Sequence, residues 1–227
     1  MRLLMLDTST IVASAAILDE NKLIGEIIIN HEKKHAEKLM ISIDHLLKDT
    51  NIGINEIDIF GIVQGPGSFT GLRIGMATIK GLAQVCNKPI VGISTLAALT
   101  ANIPYSDGII CPVLDAQRNC IYSGLYSYSR NNQLITICQD AEMTIDTLIR
   151  TLSEYKDQKI YLLGDAQKKY VEKLAESLPK LILVPSYLSM NRASSAAFLA
   201  MEKYQTGQID TYLSIEPVYL RQSYAEE

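Results

Sequence analysis

The chain has 227 residues, a formal net charge of −4 and 48% hydrophobic residues, which is typical of a globular protein with a well-buried core. The negative charge, without any run of Lys or Arg, argues against tight nucleic-acid binding by this chain alone. No segment reaches membrane-spanning length, the opening apolar run is too short for a signal peptide, and the four cysteines form no CxxC pair. We therefore expect a cytoplasmic protein with reduced thiols and no membrane partner.

The first half of the chain predicts a mixed α/β unit. Short apolar runs bounded by polar turns indicate strands, and longer runs with one apolar face indicate helices. The predicted strands are 3–6, 12–18, 22–29, 57–63 and 89–93. The predicted helices are 36–48, 72–86 and a third that starts at 94 or 95 and ends before Pro104.

The second half repeats this order of elements. Its predicted strands are 111–114, 121–128, 134–138, 159–163 and 182–184. Its predicted helices are 144–152, 167–178 and 193–205. Each half opens with an apolar strand that ends in Leu-Asp, at Asp7 and at Asp115, and continues through a polar turn into an alternating strand. The repeat indicates two related halves, and in such a duplicated fold the two opening hairpins face each other across a cleft.

A glycine-rich turn joins the strand at 57–63 to the helix at 72–86. Its sequence is Gly65-Pro66-Gly67-Ser68-Phe69-Thr70-Gly71-Leu72-Arg73. Ser68 or Thr70 can cap the helix, and a helix start of this kind can hold an anion. The turn lacks the lysine of a Walker A loop and the spacing of the dinucleotide fingerprint. A tight turn without a ligand is therefore the favoured interpretation.

The helix at 72–86 is too apolar for an ordinary surface helix. Its apolar residues cover about twice the usual stripe of roughly 100°, so the helix must be covered on two sides. One side is its own sheet, and the other is either more of this chain or a partner. Gly67, Gly71 and Gly75 recur every four residues, which predicts that another helix packs closely along this edge.

Residues His31 to His35 spell H-E-x-x-H, the pattern of a zinc-protease helix. That chemistry needs both histidines on one helical face and a third ligand. Here the pattern is strongly charged and lies between a strand and a helix, and the third ligand on offer is Glu56 in a turn. We predict that it binds no metal, and zinc-dependent peptidase activity is the less favoured alternative.

Asp7 and Asp115 form the clearest pair of carboxylates. As metal ligands or as general acid and base, they would suit a phosphoryl-transfer site, with Arg118 beside the second of them. Equally, each can be a turn carboxylate that accepts backbone N–H groups at a strand end. A small-molecule kinase that uses both carboxylates is therefore one alternative function.

Six segments together resemble the TsaB (YeaZ) family, and the resemblance spans the chain from end to end. They are Asp7-Thr8-Ser9-Thr10, His35-Ala36-Glu37-Lys38-Leu39, the glycine turn through Ile74-Gly75, Gly92-Ile93-Ser94-Thr95-Leu96, Asp115-Ala116-Gln117-Arg118 and Pro217-Val218-Tyr219-Leu220-Arg221. The resemblance implies an α/β protein with a duplicated actin-like ATPase (ribonuclease H-like) fold, in two lobes with mixed sheets and flanking helices.

The same resemblance implies a role in making threonylcarbamoyladenosine beside the anticodon of tRNA. Members of the family are regarded as non-catalytic subunits that pair with TsaD, the subunit that transfers the threonylcarbamoyl group, and recruit TsaE, a P-loop ATPase. We accordingly expect TsaD-like and TsaE-like partners, a homodimer when the chain is alone, and tRNA contact only through the complex. No cofactor is required, and weak nucleotide binding is left open.

Two departures bear on these expectations. TsaD-like proteins carry a metal-binding H-x-x-x-H where this chain has Thr95 and Leu99, and neither residue can replace a histidine on a metal, which supports the absence of catalytic residues. The family often has Asp-Ala-Arg-Arg in the second half, but this chain has Gln117 at the third position. That substitution weighs against a charge role for position 117.

These interpretations define two lobes and two candidate sites. The expected lobes are 1–103 with 192–227, and 104–191. The expected anion or nucleotide cleft is formed by Asp7, Thr8, Ser9, Asp115 and Arg118. The expected partner interface lies on the helices at 36–48 and 71–86 and consists of Leu39, Met40, Ile43, Leu47, Gly71, Ile74, Gly75, Thr78 and Leu82.

Overall fold

The computed structural model describes residues 1–30 and 35–221, and for 35–38 it describes the backbone alone. The chain forms two compact units. Among the described residues, unit 1 comprises those within Met1–Ala98 and Asn191–Val218, and unit 2 comprises Leu99–Met190 and residues 219–221. Within the described residues, no helix is both long enough and apolar enough to cross a membrane.

Unit 1 is built on a five-stranded mixed sheet. Its strands are β1 (Arg2–Asp7), β2 (Val12–Asp19), β3 (Lys22–Asn30), β4 (Ile59–Gly65) and β5 (Ile90–Ser94). They lie in the order β3-β2-β1-β4-β5. The hairpin pairs β1–β2 and β2–β3 are antiparallel, whereas β1–β4 and β4–β5 are parallel, so the carboxyl ends of β1, β4 and β5 share one edge of the sheet.

Unit 2 has a second five-stranded sheet with the same topology. Its strands are β6 (Ile109–Asp115), β7 (Cys120–Tyr128), β8 (Leu134–Thr144), β9 (Ile160–Leu163) and β10 (Leu181–Leu183). They lie in the order β10-β9-β6-β7-β8. As in the first sheet, the hairpin pairs β6–β7 and β7–β8 are antiparallel, whereas β6–β9 and β9–β10 are parallel. The predicted duplication is therefore confirmed, strand by strand, including the final aspartate of β1 and of β6.

Six helices cover the two sheets in the described chain. They are α1 (His35–Thr50), α2 (Phe69–Cys86), α3 (Thr95–Thr100), α4 (Ile145–Ser153), α5 (Gln167–Ala175) and α6 (Ala193–Gln205), with short 3₁₀ turns at Ile54–Glu56 and Ser186–Leu188. The hydroxyl of Ser68 accepts a hydrogen bond from the Gly71 N–H, as the predicted cap requires. Residues of α1 and α2 pack together on one face of the first sheet, and the alanine-rich α6 packs on the other.

Most element boundaries lie within three residues of the sequence prediction, and three differences need a physical explanation. Strand β8 continues six residues beyond the predicted end at Cys138, because it pairs with β7 as far as Thr144 while register shifts near Leu125 interrupt the alternating pattern. Helix α5 ends at Ala175 instead of residue 178, and the Ser177 N–H closes a tighter three-residue turn onto the Leu174 carbonyl.

The third difference concerns the C-terminal segment. The prediction assigned 192–227 to the first lobe, but the chain from Tyr219 groups with unit 2. The guanidinium of Arg221 explains this, because it donates a hydrogen bond to the Ala116 carbonyl (2.9 Å) and pairs with Glu142 (3.4 Å). The other two divisions between the units fall between residues 98 and 99 and between residues 190 and 191. The prediction placed them between 103 and 104 and between 191 and 192.

Candidate functional site

The first hairpin turn holds a carboxyl group that is completely buried. Asp7 ends β1, and its Oδ1 accepts hydrogen bonds from the backbone N–H of Ser9 (2.9 Å) and from the Ser9 hydroxyl (2.6 Å). Burial raises the pKa of Asp7 above its ordinary value, and the two hydrogen bonds from Ser9 offset part of that effect. The side-chain amide of Asn191 also favours the ionised form, but Asp7 Oδ2 and Asn191 Nδ2 complete no hydrogen bond.

The glycine-rich turn closes over this hairpin. The Ser68 N–H donates to the Ser9 carbonyl (2.7 Å), and the Thr8 hydroxyl donates to the Gly71 carbonyl (2.8 Å). A Cβ atom on Gly67 would overlap the Ser9 carbonyl, and one on Gly71 would overlap the Thr8 carbonyl. The Asp7, Thr8 and Ser9 side chains are all buried and, as folded, present no surface to a ligand.

The same contacts correct the prediction about the glycine spacing. Gly67, Gly71 and Gly75 do not receive another helix, because all three lie against the turn that follows β1. At Gly75, an added Cβ would overlap the Thr8 hydroxyl. The four-residue spacing therefore serves packing within unit 1, where only glycine lets the β1–β2 turn approach α2 so closely.

The second hairpin turn has an open aspartate. Asp115 is exposed; its Oδ1 accepts the Gln117 N–H (2.8 Å), and its carboxylate lies 3.5 Å from the Lys169 ammonium. Its own N–H donates to Asp165, whose pKa is raised by burial. Arg118 is exposed in the same turn. Asp115 and Arg118 thus lie in one turn of unit 2, whereas Asp7, Thr8 and Ser9 lie together in unit 1.

The backbone of this second turn is unusual. Gln117, Arg118 and Asn119 are consecutive residues with φ values of 63°, 49° and 60°, the left-handed region that favours glycine. Their side chains are exposed, while Ala116 before them is buried. Arg221 donates to the Ala116 carbonyl and so supports the turn from outside the hairpin.

The predicted partner interface divides into core and surface residues. Leu39 and Ile43 are buried in the core between α1 and the first sheet, so their inclusion in a surface is wrong for the free chain. Apolar residues on an amphipathic helix pack first on the helix's own sheet. Gly75 is also buried, against the Thr8 side chain, and is likewise excluded. Met40 is 51% exposed, and the half-buried residues are Leu47, Gly71, Ile74, Thr78 and Leu82.

The histidine pattern cannot be tested in the described chain. His31 and Glu32 lie outside the described residues, as does the side chain of His35. Glu56, which the sequence offered as a third ligand, accepts the Gly53 N–H and pairs with Arg2. Within the residues that the structure describes, no group of three or more His, Cys, Asp or Glu side chains could hold a metal ion.

An open depression of about 680 Å³ lies in unit 2 and was not anticipated. Its lining residues are Cys120, Asp140, Ala141, Glu142, Met143, Thr144, Thr147 and Leu220. The two carboxylates are engaged, Asp140 with the Tyr126 hydroxyl and Glu142 with Arg221.

The sequence analysis also missed Asn191, Asp165 and Arg221 as supports of the two turns. For Arg221, the sequence did carry a signal, because Arg221 ends the segment Pro217-Val218-Tyr219-Leu220-Arg221, one of the six that resemble the TsaB (YeaZ) family.

Comparison with known proteins connects both units to tRNA modification. A family model described as "TsaD: tRNA N6-adenosine threonylcarbamoyltransferase" matches residues 22–137. The "tRNA threonylcarbamoyladenosine biosynthesis protein TsaB" of Bacillus subtilis (strain 168) is 32% identical over 227 residues, covering 100% of this chain and 96% of that protein. The protein of the same name from Haemophilus influenzae is 26% identical, covering 96% and 93%.

The fold agrees with a solved structure of the same group. The solved structure "YeaZ from Pseudomonas aeruginosa" superposes with a TM-score of 0.80 at 24% identity, covering 96% of this chain and 99% of that one. The matching sheets of the two units and their flanking helices are those of a duplicated actin-like, ribonuclease H-like fold. The full-length similarity to the Bacillus subtilis protein shows that the chain belongs to the TsaB (YeaZ) family.

Proposed function

We propose that this chain is a non-catalytic scaffold subunit required for threonylcarbamoyladenosine formation in tRNA, next to the anticodon. It acts by dimerising with a TsaD-like catalytic subunit and by recruiting a TsaE-like P-loop ATPase, in the cytoplasm, and it contacts tRNA only through the complex. Support comes from the names of its full-length relatives and from the TsaD model that matches 22–137. A partner that shares this topology could offer matching helices to α1 and α2.

The observation that carries the proposal is the outer surface of α1 and α2. The two helices are in contact, and beyond their buried residues they keep a half-exposed apolar strip that no element of the described chain covers fully. We call this strip the α1–α2 face; it consists of Met40, Leu47, Ile74, Thr78 and Leu82. Exposed apolar patches on soluble proteins mark interaction sites. When the chain is alone, a second copy would cover this face, and the TsaD-like subunit would displace it.

Two observations support the absence of catalysis by this chain. Asp7, the first candidate for a phosphoryl-transfer carboxylate, is enclosed by its own hairpin and by the glycine turn. Thr95 and Leu99, which stand where TsaD-like proteins have metal-binding histidines, are both fully buried. The kinase alternative therefore receives no support from the geometry around Asp7, and no cofactor enters the proposal beyond weak nucleotide binding, which stays an open prediction.

The experiment compares two arginine substitutions on α2. Thr78→Arg places a charge in the middle of the α1–α2 face, and desolvating such a charge in an interface is costly. Gln84→Arg is the matched control, since Gln84 is exposed on the polar side of the same helix. Size-exclusion chromatography with light scattering should show the complex with the cognate TsaD-like subunit for the wild type and Gln84→Arg, but at least a tenfold weaker complex for Thr78→Arg.

The control for folding is the circular dichroism of each free variant, which should match the wild type. Gly75→Glu is unsuitable here because Gly75 lies against Thr8, so its substitution would disturb the fold itself. A Thr78→Arg protein that is folded and pairs as well as the wild type would rule out the α1–α2 face. Absence of any complex for the wild type would remove the proposed function itself.

A further inference from the structure

Strand β3 lies at the edge of the first sheet, yet it has the composition of a central strand. The part of β3 that pairs regularly with β2 is 25–30, and it contains Ile27, Ile28 and Ile29 in succession. A continuous apolar run is typical of a strand in the interior of a sheet with both faces buried, whereas edge strands usually carry charge or irregular pairing. All three isoleucines are only half-buried in the free chain.

The other three sheet edges of the described chain are protected. Strand β5 is bridged by Asp210, whose N–H and carbonyl bond to Ile90 (2.8 and 2.9 Å). Strand β10 has three residues, and β8 carries Asp140 and Glu142 and pairs irregularly with β7. Such short lengths, charges, irregular pairings and covering segments are how proteins protect sheet edges. We call the outer side of 25–30 the β3 edge, and within the described residues no segment pairs with it.

The one charge in this part of β3 does not protect the edge. The Glu26 carboxylate accepts hydrogen bonds from the Arg192 guanidinium (2.7 Å) and the Ser194 N–H (2.9 Å), and its side chain is 8% exposed. An inward-pointing charge protects an edge because an added strand would bury it without a partner. Glu26 is already buried and paired in the free chain, so an added strand would bring no such cost.

We propose that the β3 edge binds a second copy of this chain, with the two β3 strands antiparallel across a twofold axis. Helices α1 and α6 pack on opposite faces of the first sheet, so an added strand needs apolar side chains at successive positions. Strand β3 itself supplies that pattern, and pairing a strand with its own copy gives the self-complementary interface that twofold symmetry requires.

The residues of β3 also define a register for this pairing. A twofold axis at Ile28 sets the three isoleucines of one copy against those of the other, and it sets Glu26 against Asn30. Cross-strand pairs of β-branched residues stabilise a sheet, and this register keeps the two Glu26 side chains from standing directly opposite each other. These residues are not those of the α1–α2 face, and the inference does not rest on the proposed function.

The experiment blocks one surface and measures the other. Light scattering over a concentration series should show Thr78→Arg, which blocks the α1–α2 face, as a dimer that forms through the β3 edge. Adding Ile28→Lys places a charge at the centre of the β3 pairing and should weaken this dimer at least tenfold. Ile135→Lys in the Thr78→Arg background is the matched control, because Ile135 is a 45% exposed isoleucine on the protected edge strand β8. It should leave the dimer unchanged.

Hydrogen exchange tests the same surface without relying on Ile28→Lys. In Thr78→Arg, the outward-facing amides of 26–30 should exchange at least tenfold more slowly at concentrations that form the dimer than after dilution. A Thr78→Arg chain that is monomeric at every concentration would overturn the inference. So would a dimer without protection at 26–30, or a double variant that is folded by circular dichroism and dimerises as Thr78→Arg does.

The same measurement distinguishes a second copy from another occupant. Protection at 26–30 that appears only after the TsaD-like protein is added would assign the β3 edge to that partner and overturn the proposal of a second copy. These experiments on dimer formation use the chain alone. Failure of the wild type to bind the TsaD-like subunit would therefore remove the proposed function and leave this inference standing.

Discussion

The two hairpins that open the two units differ in what covers them. Both follow a strand that ends in aspartate, and both precede an antiparallel strand of the same sheet topology. The Asp7 turn is buried beneath the glycine turn, and its carboxyl is held by Ser9. The Asp115 turn is open to solvent and keeps three left-handed residues in succession.

This difference shows that equivalent turns of a duplicated fold can have different surroundings and different roles. In unit 1, three glycines let α2 and its preceding turn pack onto the hairpin, which converts a candidate ligand site into core. In unit 2, the supports of the hairpin turn come from Asp165 and Arg221, and both leave the tip uncovered. A structural role therefore fits the first turn, whereas the tip of the second turn stays exposed.

The largest expected effect breaks the packing at the first hairpin. Gly71→Ala would drive a Cβ atom into the Thr8 carbonyl, so we expect a loss of about 3 kcal/mol in the free energy of unfolding, measured with urea. Gly81→Ala on the same helix is the matched control, because no atom lies within 4 Å of its added Cβ. It should stabilise the chain by about 0.5–1 kcal/mol. Equal stability of the two variants would mean that α2 does not close on the hairpin as described.

A smaller effect is expected at the buried hydroxyl of the same turn. Ser9→Ala removes the 2.6 Å hydrogen bond to Asp7 Oδ1 and leaves that oxygen with the backbone N–H alone. We expect a loss of about 2 kcal/mol in the free energy of unfolding. Ser68→Ala, at the exposed cap of α2, should lose about 1 kcal/mol. A loss at Ser9 no larger than at Ser68 would contradict the enclosure of the first turn.

A third prediction tests the support of the second turn. Arg221→Ala removes the hydrogen bond to Ala116 and the partly exposed pair with Glu142, so we expect a loss of about 1 kcal/mol. Hydrogen exchange should rise locally at 115–120, because the strained backbone loses an external hydrogen bond. Arg130→Ala is the control, as Arg130 is an exposed residue near the end of β7. Unchanged exchange at 115–120 would show that the hairpin holds the strain alone.

The smallest expected effect is a pH dependence that comes from Asp7. Burial raises the pKa of Asp7 above its ordinary value of 3.8, so the folded chain holds this proton at pH values where the unfolded chain has lost it. Stability from this group is complete below pH 3.8 and falls as pH rises through the raised pKa. Asp7→Asn cannot titrate, so the wild type should lose stability relative to Asp7→Asn as the pH rises above 3.8, as measured by urea unfolding at each pH. A difference of the opposite sign would mean that Asp7 is stabilised as a carboxylate.

The sequence anticipated the fold well, because the fold depends on local patterns. The Leu-Asp repeat predicted equivalent strands. The glycine turn predicted a helix capped by Ser68 or Thr70; Ser68 is the cap, and α2 begins at Phe69, three residues before the predicted start. What it could not predict is which elements meet across long separations. The spacing of Gly67, Gly71 and Gly75 is the same whether a helix or a β1–β2 turn lies against it, and only the tertiary structure decides.

The candidate site was predictable in part for the same reason. An apolar position on a helix indicates a buried side, but it cannot distinguish the chain's own core from a partner's, so Leu39 and Ile43 were assigned to the interface. Left-handed backbone at Gln117 and Arg118 has no sequence signal, since neither residue favours it. The burial of Asp7 and the exposure of Asp115 likewise follow from neighbours that lie far away in the chain.

The most direct test of the contrast between the exposed α1–α2 face and the enclosed first turn is a nuclear magnetic resonance titration. The isotope-labelled chain is mixed with the unlabelled TsaD-like and TsaE-like proteins, and backbone amide shifts are followed in both turns and along α2. We predict shifts or broadening at Ile74, Thr78 and Leu82, with Asp7 to Ser9 unchanged. Perturbation centred on Asp7 to Ser9, with the Ile74, Thr78 and Leu82 amides unaffected, would contradict the account.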